Sequence, residues 1–274
     1  MSLVAGNKKI AISGIGLHSG NEVTLNLTSA LKHMTFRNSN FINKIRVSPS
    51  RVVETTLSTV VGVELSTVST IEHLMAALWA YNISRFHCEV SDSEIPILDG
   101  SSKTWVDLLG RPNSIKLRAT PASPIIIDQD IEVTEGNSYI KISPADSFYA
   151  DVTIDFPYPS IGVQRYTSIL TPEIFKKELA FCRTFVHIKE VEYLRSIGKA
   201  LGGSLDNAIV VDNTKVINPG GLRTHNEMVK HKVLDMIGDL WTLGRPIQGK
   251  ITAYKPGHKI NNLLARRIAE LYNL

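Results

Sequence analysis

The chain has 274 residues, of which 43% are hydrophobic and 20% charged, and its 30 Lys and Arg against 26 Asp and Glu give a formal charge of +4. This length allows one large domain or two moderate domains with cores of their own, which excludes a small scaffold that depends on disulfides. The positive charge is weak evidence for anionic ligands of any kind, because basic residues occur at most in pairs such as Lys8–Lys9.

Cysteine content and the N-terminus bear on location. The only cysteines are Cys88 and Cys182, and neither belongs to a CxxC pair, which fits a reducing compartment. Met1–Ser13 lacks the pattern of a signal peptide, and the longest apolar run, Leu74–Tyr81, is far shorter than the roughly 20 residues of a membrane helix. We therefore expect a cytoplasmic protein without a transmembrane segment.

The first half begins with two short alternating segments. Lys9–Ser13 and Val23–Leu27, with a glycine-rich stretch between them, predict two strands joined by a loop. Ser69–Glu72 has capping-box spacing and precedes an apolar run to Trp79, which predicts a helix. A strand at Phe86–Val90 and a turn at Ile95–Gly100 follow.

The second half repeats this plan in its sequence pattern. Tyr139–Ser143 and Asp151–Asp155 match the first strand pair, with Ile12–Ser13 aligned on Ile142–Ser143. Thr224–Glu227 again has capping-box spacing and predicts a long helix through Trp241, followed by a strand at Lys250–Tyr254. Pairing Leu78–Trp79 with Leu240–Trp241 gives an offset of 162 residues, from 78 to 240.

These patterns predict an α+β fold of two similar domains, each with helices packed on a β-sheet. The first domain comprises residues 1–115 and the second residues 116–274, with the boundary in the proline-bearing stretch from Leu109 to Pro124. The second domain contains an insert around residues 185–212, with a helical stretch near Glu190–Leu194 and a strand at Ala208–Val211.

A metal site is indicated by His231 and Asp235, which lie four residues apart and therefore on one helix face. A surface His–Asp pair would have the same spacing. The offset of 162 residues aligns His73 with position 235, so the related helices would each present a ligand-type residue. Two histidines and one aspartate leave the fourth position open, as in catalytic zinc sites, whereas structural zinc is usually closed by cysteines.

Other polar residues have both a structural and a catalytic interpretation. Glu72 is explained by the capping box alone, but could also be a general base beside a metal. His258, on a glycine loop, is either a surface group or an acid/base residue, and Asp239 either orients it or lies on the helix surface. Thr184 most simply bonds to nearby backbone. The remaining histidines have no informative spacing and are interpreted as structural or surface residues: His18, His33, His87, His187 and His225.

Seven motifs follow one another along nearly the whole chain: Ile12–Gly20, Ser69–Leu74, Glu94–Ser101, Arg183–Phe185, Gly202–Ala208, His231–Asp235 and Gly257–His258. Together they resemble the UDP-3-O-acyl-N-acetylglucosamine deacetylases, the zinc amidases of lipid A biosynthesis. The resemblance implies two similar α+β domains with an insert in each and the active site between them.

The resemblance also implies roles for individual residues. His73, His231 and Asp235 would bind one Zn²⁺. Glu72 would be the general base and His258 the general acid, steadied by Asp239, while Thr184 would help to hold the oxyanion. The substrate-binding residues would be Lys232 and Phe185 at the sugar head, and, around an acyl passage in the insert, Ile188, Val191, Gly203, Ser204, Leu205, Ala208 and Val210.

The implied activity is zinc-dependent hydrolysis of the N-acetyl group of UDP-3-O-(3-hydroxyacyl)-N-acetylglucosamine, with release of acetate. The enzyme's partner would be this substrate. The enzyme would be a monomer and would bind no nucleic acid. Val186 and His187 replace the small residue and the aromatic expected after Phe185, so the passage should be narrower or more polar at its mouth.

Two alternatives remain open from the sequence. Another zinc amidohydrolase, acting on a nucleotide sugar or a peptide, could share the metal residues, although the commonest zinc peptidases carry an HExxH helix that this chain lacks. A non-catalytic nucleic-acid-binding module is possible on charge, but an aromatic content of 7% without a basic-aromatic stripe gives it little support.

Overall fold

The computed structural model describes residues 9–111 and 123–274. The predicted domain boundary, between residues 115 and 116, lies outside the described residues, so the division into domains stays a prediction. The helices are α1 Glu72–Ala80, α2 Lys103–Leu109, α3 Pro172–Ile174, α4 Ile188–Ser196, α5 Glu227–Leu240 and α6 His258–Leu271. A π-helical turn at Phe175–Leu179 follows α3, and 3-10 turns lie at Pro49–Arg51 and Trp241–Leu243.

Sixteen strands are described, and most follow the alternation of apolar and polar residues in the sequence. In the strand Phe148–Asp155, for example, every second residue is buried. The strands are β1 Lys9–Ile15, β2 Glu22–Ser29, β3 Met34–Asn38, β4 Ile45–Arg46, β5 Val52–Glu54, β6 Val60–Val63, β7 Ser66–Val68, β8 Phe86–Val90, β9 Ile125–Ile126, β10 Ile131–Glu135, β11 Ser138–Ser143, β12 Phe148–Asp155, β13 Val163–Ile169, β14 Phe185–His187, β15 Ile209–Val211 and β16 Ile247–Tyr254.

Two large sheets have the same strand order and directions. The first runs β1-β2-β8-β3-β4 and the second β10-β11-β16-β12-β13, with β9 added beside β16. In each sheet the middle strand is antiparallel to one neighbour and parallel to the other. The fold is therefore α+β, as predicted, and the two halves share one sheet topology.

The strand pairing between the halves was predicted wrongly. By position in the sheets, β1 and β2 correspond to β10 and β11, whereas the sequence comparison matched them with β11 and β12. The strands β11 and β12 are not even neighbours, because β16 lies between them. A short alternating pattern identifies a strand but not its neighbour, which here is supplied from about 100 residues later in the chain.

Helices α1 and α5 pack against each other between the two cores. Helix α1 is buried on almost all sides, since Leu74, Met75 and Leu78 join the core of the first half and Ala76 and Ala80 that of the second. This all-round burial explains why its sequence is apolar with little periodicity. Residues at the facing positions of these two helices are consequently held close together and away from bulk water.

Both predicted capping boxes are wrong. Ser69 Oγ donates to the Ser93 carbonyl, and α1 begins after Ile71 without a side-chain cap. Helix α5 begins after Asn226, which has a left-handed backbone and also makes no side-chain cap. The two glutamates at the cap spacing are instead buried: Glu72 accepts from the Thr59 N–H, and Glu227 accepts from Arg183 and from the Arg223 main-chain N–H.

Two small sheets lie outside the large ones. Strands β5, β6 and β7 form a three-stranded sheet in the first half, and the parallel pair β14 and β15 lies with α4 in the predicted insert. Within residues 9–111 and 123–274, no helix is long and apolar enough to cross a lipid bilayer.

Candidate active site

Three ligand-type side chains meet where α1 packs on α5. His73 lies in the first turn of α1, His231 and Asp235 lie one turn apart on α5, and all three are at most 5% exposed. Their ligand atoms lie within 4.8 Å of one another. Asp235 Oδ1 is 3.5 Å from His73 Nε2 and 3.3 Å from His231 Nε2. The structure thus brings together the residues predicted as metal ligands.

Neighbouring groups leave free donor atoms on this triad. Lys232 Nζ donates to Asp235 Oδ2 at 2.9 Å, while Oδ1 is buried with no hydrogen-bond partner among the described residues. His231 Nδ1 donates to the Cys182 carbonyl at 3.0 Å, which leaves Nε2 as the free ring nitrogen. A buried carboxylate oxygen without a partner is unfavourable unless a cation satisfies it. Two imidazoles and one carboxylate fit Zn²⁺.

The protonation states of the triad suit a cation. Burial lowers the pKa of His231 to about 3, so its imidazole is neutral. Burial disfavours the Asp235 carboxylate, but neighbouring groups, among them the Lys232 ammonium at 2.9 Å, outweigh it and hold the pKa of Asp235 well below its usual range. The site therefore offers a neutral imidazole and an ionised carboxylate, the forms that bind metals.

Glu72 lies beside the triad as the first residue of α1. The Thr59 main-chain N–H donates to Glu72 Oε2 at 3.0 Å. Burial raises the pKa of Glu72 above its usual range, with the nearby histidines opposing this in part. A Cβ at Gly238 would lie 2.1 Å from the Glu72 carbonyl oxygen, so only glycine lets α5 approach this closely.

His258 is the first residue of α6 and not, as predicted, part of a loop. Its Nδ1 lies 2.9 Å from Asp239 Oδ2, which also accepts from Asn261 Nδ2 at 2.8 Å. Burial alone would lower the pKa of His258, but Asp239 raises it to about 9. Thr59 Oγ1 donates to the other oxygen of Asp239, so Thr59 bonds to both Glu72 and Asp239.

These side chains open into a cavity of about 360 Å³. Its lining includes eight of the predicted site residues: Glu72, His73, Thr184, Phe185, His231, Lys232, Asp235 and His258. Asp239 lies behind His258 and does not line it. Lys232, Lys255 and Lys259 also line the cavity, where they pair with Asp235, Asp155 and Glu135.

Thr184 is held by its backbone. Its N–H donates to the Gly100 carbonyl and its carbonyl accepts from the Ile209 N–H, both at 2.8 Å. Gly100 has φ +79°, and a Cβ there would lie 1.9 Å from the Asn207 carbonyl oxygen. The Phe185 ring centroid lies 5.6 Å from Lys232 Nζ. The backbone contacts leave the Thr184 hydroxyl at the cavity wall.

A second cavity, of about 290 Å³, lies beside the first and shares four lining residues with it: Leu17, Leu57, Thr184 and Phe185. We call this second cavity the passage. Its lining includes the predicted insert residues Ile188, Val191, Gly203, Ser204, Leu205, Ala208 and Val210.

Val186 and His187, the two residues that differ from the expected pattern after Phe185, lie in different places. Val186 lines the passage. His187 turns away from it, since its ring stacks on Tyr158 with a centroid separation of 3.7 Å and its Nε2 lies 3.0 Å from Asn213 Oδ1. The expectation that His187 makes the mouth more polar is therefore wrong. Polar lining comes from Glu190, Arg195 and His18, of which His18 was interpreted as structural or surface.

A buried ion pair holds the segment before Thr184 onto α5. Glu227 Oε1 accepts from Arg183 Nε at 2.9 Å and from the Arg183 main-chain N–H at 3.0 Å, and Oε2 accepts from Arg183 Nη2 at 3.1 Å. Glu227 and His231 lie one turn apart on α5, and His231 bonds to Cys182. Glu227 and His231, one turn apart on α5, therefore hold the neighbouring residues Arg183 and Cys182 in place.

Several residues of the site were not predicted from the sequence. Lys255 and Lys259 flank His258, so charge beside a candidate histidine could have identified them. Asn261 lies three residues after His258 and shares its helix face, which was a usable signal. Thr59 and the Glu227 partner of Arg183 had no such signal, because their contacts join residues far apart in the chain.

Comparisons with known proteins agree with this arrangement. The family described as UDP-3-O-acyl N-acetylglycosamine deacetylase matches residues 6–270. A UDP-3-O-acyl-N-acetylglucosamine deacetylase of a Nitratiruptor species is 39% identical over 265 residues, which are 96% of this chain and 89% of the relative. The proteins of that name from Campylobacter fetus and Helicobacter pylori are each 40% identical, over 94% and 96% of this chain and 88% and 89% of their own lengths. The chain therefore belongs to the UDP-3-O-acyl N-acetylglycosamine deacetylase family.

Proposed function

We propose that this chain hydrolyses the N-acetyl group of a UDP-3-O-acyl-N-acetylglucosamine, in lipid A biosynthesis, with one Zn²⁺ held by His73, His231 and Asp235. The observation that carries the proposal is the adjacency of two cavities, one with the triad, Glu72 and His258, the other a largely apolar passage. An acylated sugar needs a polar cavity for its sugar and an apolar passage for its acyl chain. Cytoplasmic location and a monomeric state remain predictions.

The donor set of the triad supports zinc, because Asp235 Oδ1 is unpaired and two imidazole nitrogens lie beside it. When bound there, Zn²⁺ supplies Lewis acidity, which acidifies water and polarises an amide carbonyl. Lys232 contributes by holding Asp235 Oδ2, so that only Oδ1 faces the two histidines. Loss of this contact would leave the aspartate free to rotate.

Glu72 acts as the general base. Its Oε2 is occupied by the Thr59 N–H, so Oε1 takes the proton of the attacking water. Burial raises the pKa of Glu72 above its usual range, which makes the carboxylate a stronger proton acceptor than an exposed glutamate.

His258 acts as the general acid. An amine leaves the tetrahedral intermediate readily only when its nitrogen is protonated, and Asp239 keeps the His258 imidazole cationic by raising its pKa to about 9. Because Nδ1 is engaged by Asp239, the proton passes to the leaving nitrogen from Nε2.

The Thr184 hydroxyl donates to the carbonyl oxygen as negative charge develops on it. A donor fixed before the reaction stabilises this charge without reorganising, and Thr184 is fixed by main-chain bonds on both sides. Lys232, Lys255 and Lys259 face the same cavity and suit the diphosphate, while the passage suits the acyl chain.

The test is product analysis with zinc-loaded protein and UDP-3-O-acyl-N-acetylglucosamine. We expect acetate and a free amine from the wild type, and a kcat lower by about 10²–10⁴-fold in Glu72→Gln, which keeps the acceptor for Thr59 N–H but not the base. Glu89→Gln, a change at a partly exposed glutamate, is the control. No acetate from the wild type would refute the substrate, and full activity in Glu72→Gln would refute the mechanism.

A further inference from the structure

His18 is held rigidly by its main chain. It lies in the turn between β1 and β2, where Glu94 accepts from the main-chain N–H groups of His18 and Ser19, each at 2.9 Å. Glu94 also accepts from Thr70 Oγ1 at 3.1 Å. A Cβ at Gly16 would lie 2.5 Å from Glu94 Oε2, so the glycine lets the carboxylate reach the turn.

The insert docks on the same turn from the other side. Leu201 N–H donates to the His18 carbonyl at 3.3 Å and Gly202 N–H to the Leu17 carbonyl at 3.0 Å. A Cβ at Gly202 would lie 2.2 Å from the Gly16 carbonyl oxygen. Both main-chain polar groups of His18 are therefore used, and the position of its ring is set by the first half and the insert together.

The ring itself has no partner in the described part of the protein. His18 lines the passage, and both ring nitrogens are buried without a hydrogen bond to any described residue. Burial lowers the pKa of His18, although Glu94 opposes this, so the ring is neutral and offers one N–H donor and one acceptor. A buried polar ring left unpaired is unfavourable, so a polar group of a bound molecule is expected there.

We propose that the His18 ring hydrogen-bonds an oxygen at the root of the substrate's acyl chain. This inference rests on the proposed function. An acyl chain that enters the passage beside Thr184 and Phe185 brings its ester carbonyl first and, where the chain is hydroxylated, a hydroxyl soon after. The rest of the chain is hydrocarbon and suits the apolar wall. His18 thereby selects acylated sugars whose chain carries such an oxygen.

The test compares three substrates of equal chain length: a 3-hydroxyacyl ester, the same ester without the hydroxyl, and a 3-O-alkyl ether that keeps the hydroxyl. We expect wild-type kcat/KM to fall about tenfold for the analogue that lacks the bonded oxygen. His18→Phe fills the space without a donor, so this preference should disappear through a loss confined to the substrates that keep the bonded oxygen. His18→Gln, which keeps an N–H donor, should restore part of it.

Val191→Ala is the matched control, because it also alters the passage but removes no polar group. It should lower activity on all three substrates alike and keep the preference. A fall with the ether identifies the ester carbonyl, and a fall with the unhydroxylated ester identifies the hydroxyl. Equal preferences in wild type, His18→Phe and His18→Gln would overturn the proposal. Failure of the wild type to release acetate from any substrate would instead overturn the proposed function.

Discussion

Asp239 controls the charge of His258 through one hydrogen bond. Burial alone would favour a neutral imidazole, yet the pKa of His258 is raised from 6.5 to about 9 because Asp239 stabilises the cation. Since the folded value lies above the unfolded one, this interaction stabilises the fold fully below about pH 6.5 and is lost as the pH rises through about 9.

This coupling predicts the alkaline side of the pH profile. In wild type, kcat/KM should fall on the alkaline side as His258 deprotonates near pH 9, and on the acidic side as Glu72 protonates above its usual range. In Asp239→Asn the largest interaction that opposes burial is removed, so the alkaline limb should move to lower pH. The pH dependence of kcat/KM in wild type and in Asp239→Asn tests this prediction. Asp107→Asn, a change at an exposed carboxylate, is the control. An unmoved limb in Asp239→Asn would show that another group titrates.

The residues of the candidate active site differ in how readily the sequence predicts them. His231 and Asp235 were found because a helix repeats every 3.6 residues, so their spacing alone predicts one face. Glu72 was found, but with a capping role it does not have, because Thr59 reaches it from a loop 13 residues earlier. Spacing predicts neighbours within an element, whereas partners from other elements depend on tertiary packing.

At the scale of elements, α5 carries the site through its packing on the segment before Thr184. The Arg183 and Glu227 side chains are 8% and 0% exposed, whereas Arg267 and Glu270, which form a pair of the same residue types, are 52% and 69% exposed. Breaking a buried pair leaves an uncompensated charge, while an exposed pair contributes little.

We therefore expect Glu227→Gln to lower the free energy of unfolding by about 3–5 kcal/mol. Glu270→Gln, which breaks the exposed pair with Arg267, should lower it by less than about 1 kcal/mol. Urea unfolding of the two variants provides the comparison. Similar losses in both would mean that the buried pair does not hold the segment.

Gly238 sets the distance between α1 and α5. Alanine normally stabilises a helix by about 1 kcal/mol relative to glycine, but here its Cβ would lie 2.1 Å from the Glu72 carbonyl oxygen. Gly238→Ala should therefore lower both stability and zinc affinity, since His73 moves with α1. Gly220→Ala, where nothing lies within 4 Å of the added Cβ, should change neither. Calorimetry of zinc binding and thermal unfolding test this, and tight zinc binding in Gly238→Ala would contradict it.

For the whole molecule, the sequence predicted the α+β class, seven of the sixteen described strands and the two central helices, because these follow from local periodicity. It did not predict which strands pair. The middle strand of each large sheet comes after a long intervening segment, and no local pattern marks its place. The same limit applies to the passage, whose wall combines the turn around His18 with an insert that lies far later in the chain.

The metal triad joins helices from the two halves of the chain, so a bound ion should stabilise the entire fold. A ligand that binds only the folded state adds about 2.7 kcal/mol when its free concentration is about 100 times Kd. Chelated protein should thus have a lower Tm than zinc-loaded protein, and added Zn²⁺ should restore it. Asp235→Asn removes the charge of the unpaired Oδ1 and should abolish most of this rise, while Asp107→Asn should keep it. If Asp235→Asn responded to Zn²⁺ as fully as the wild type, the ion would bind elsewhere and the link between the two helices would be wrong.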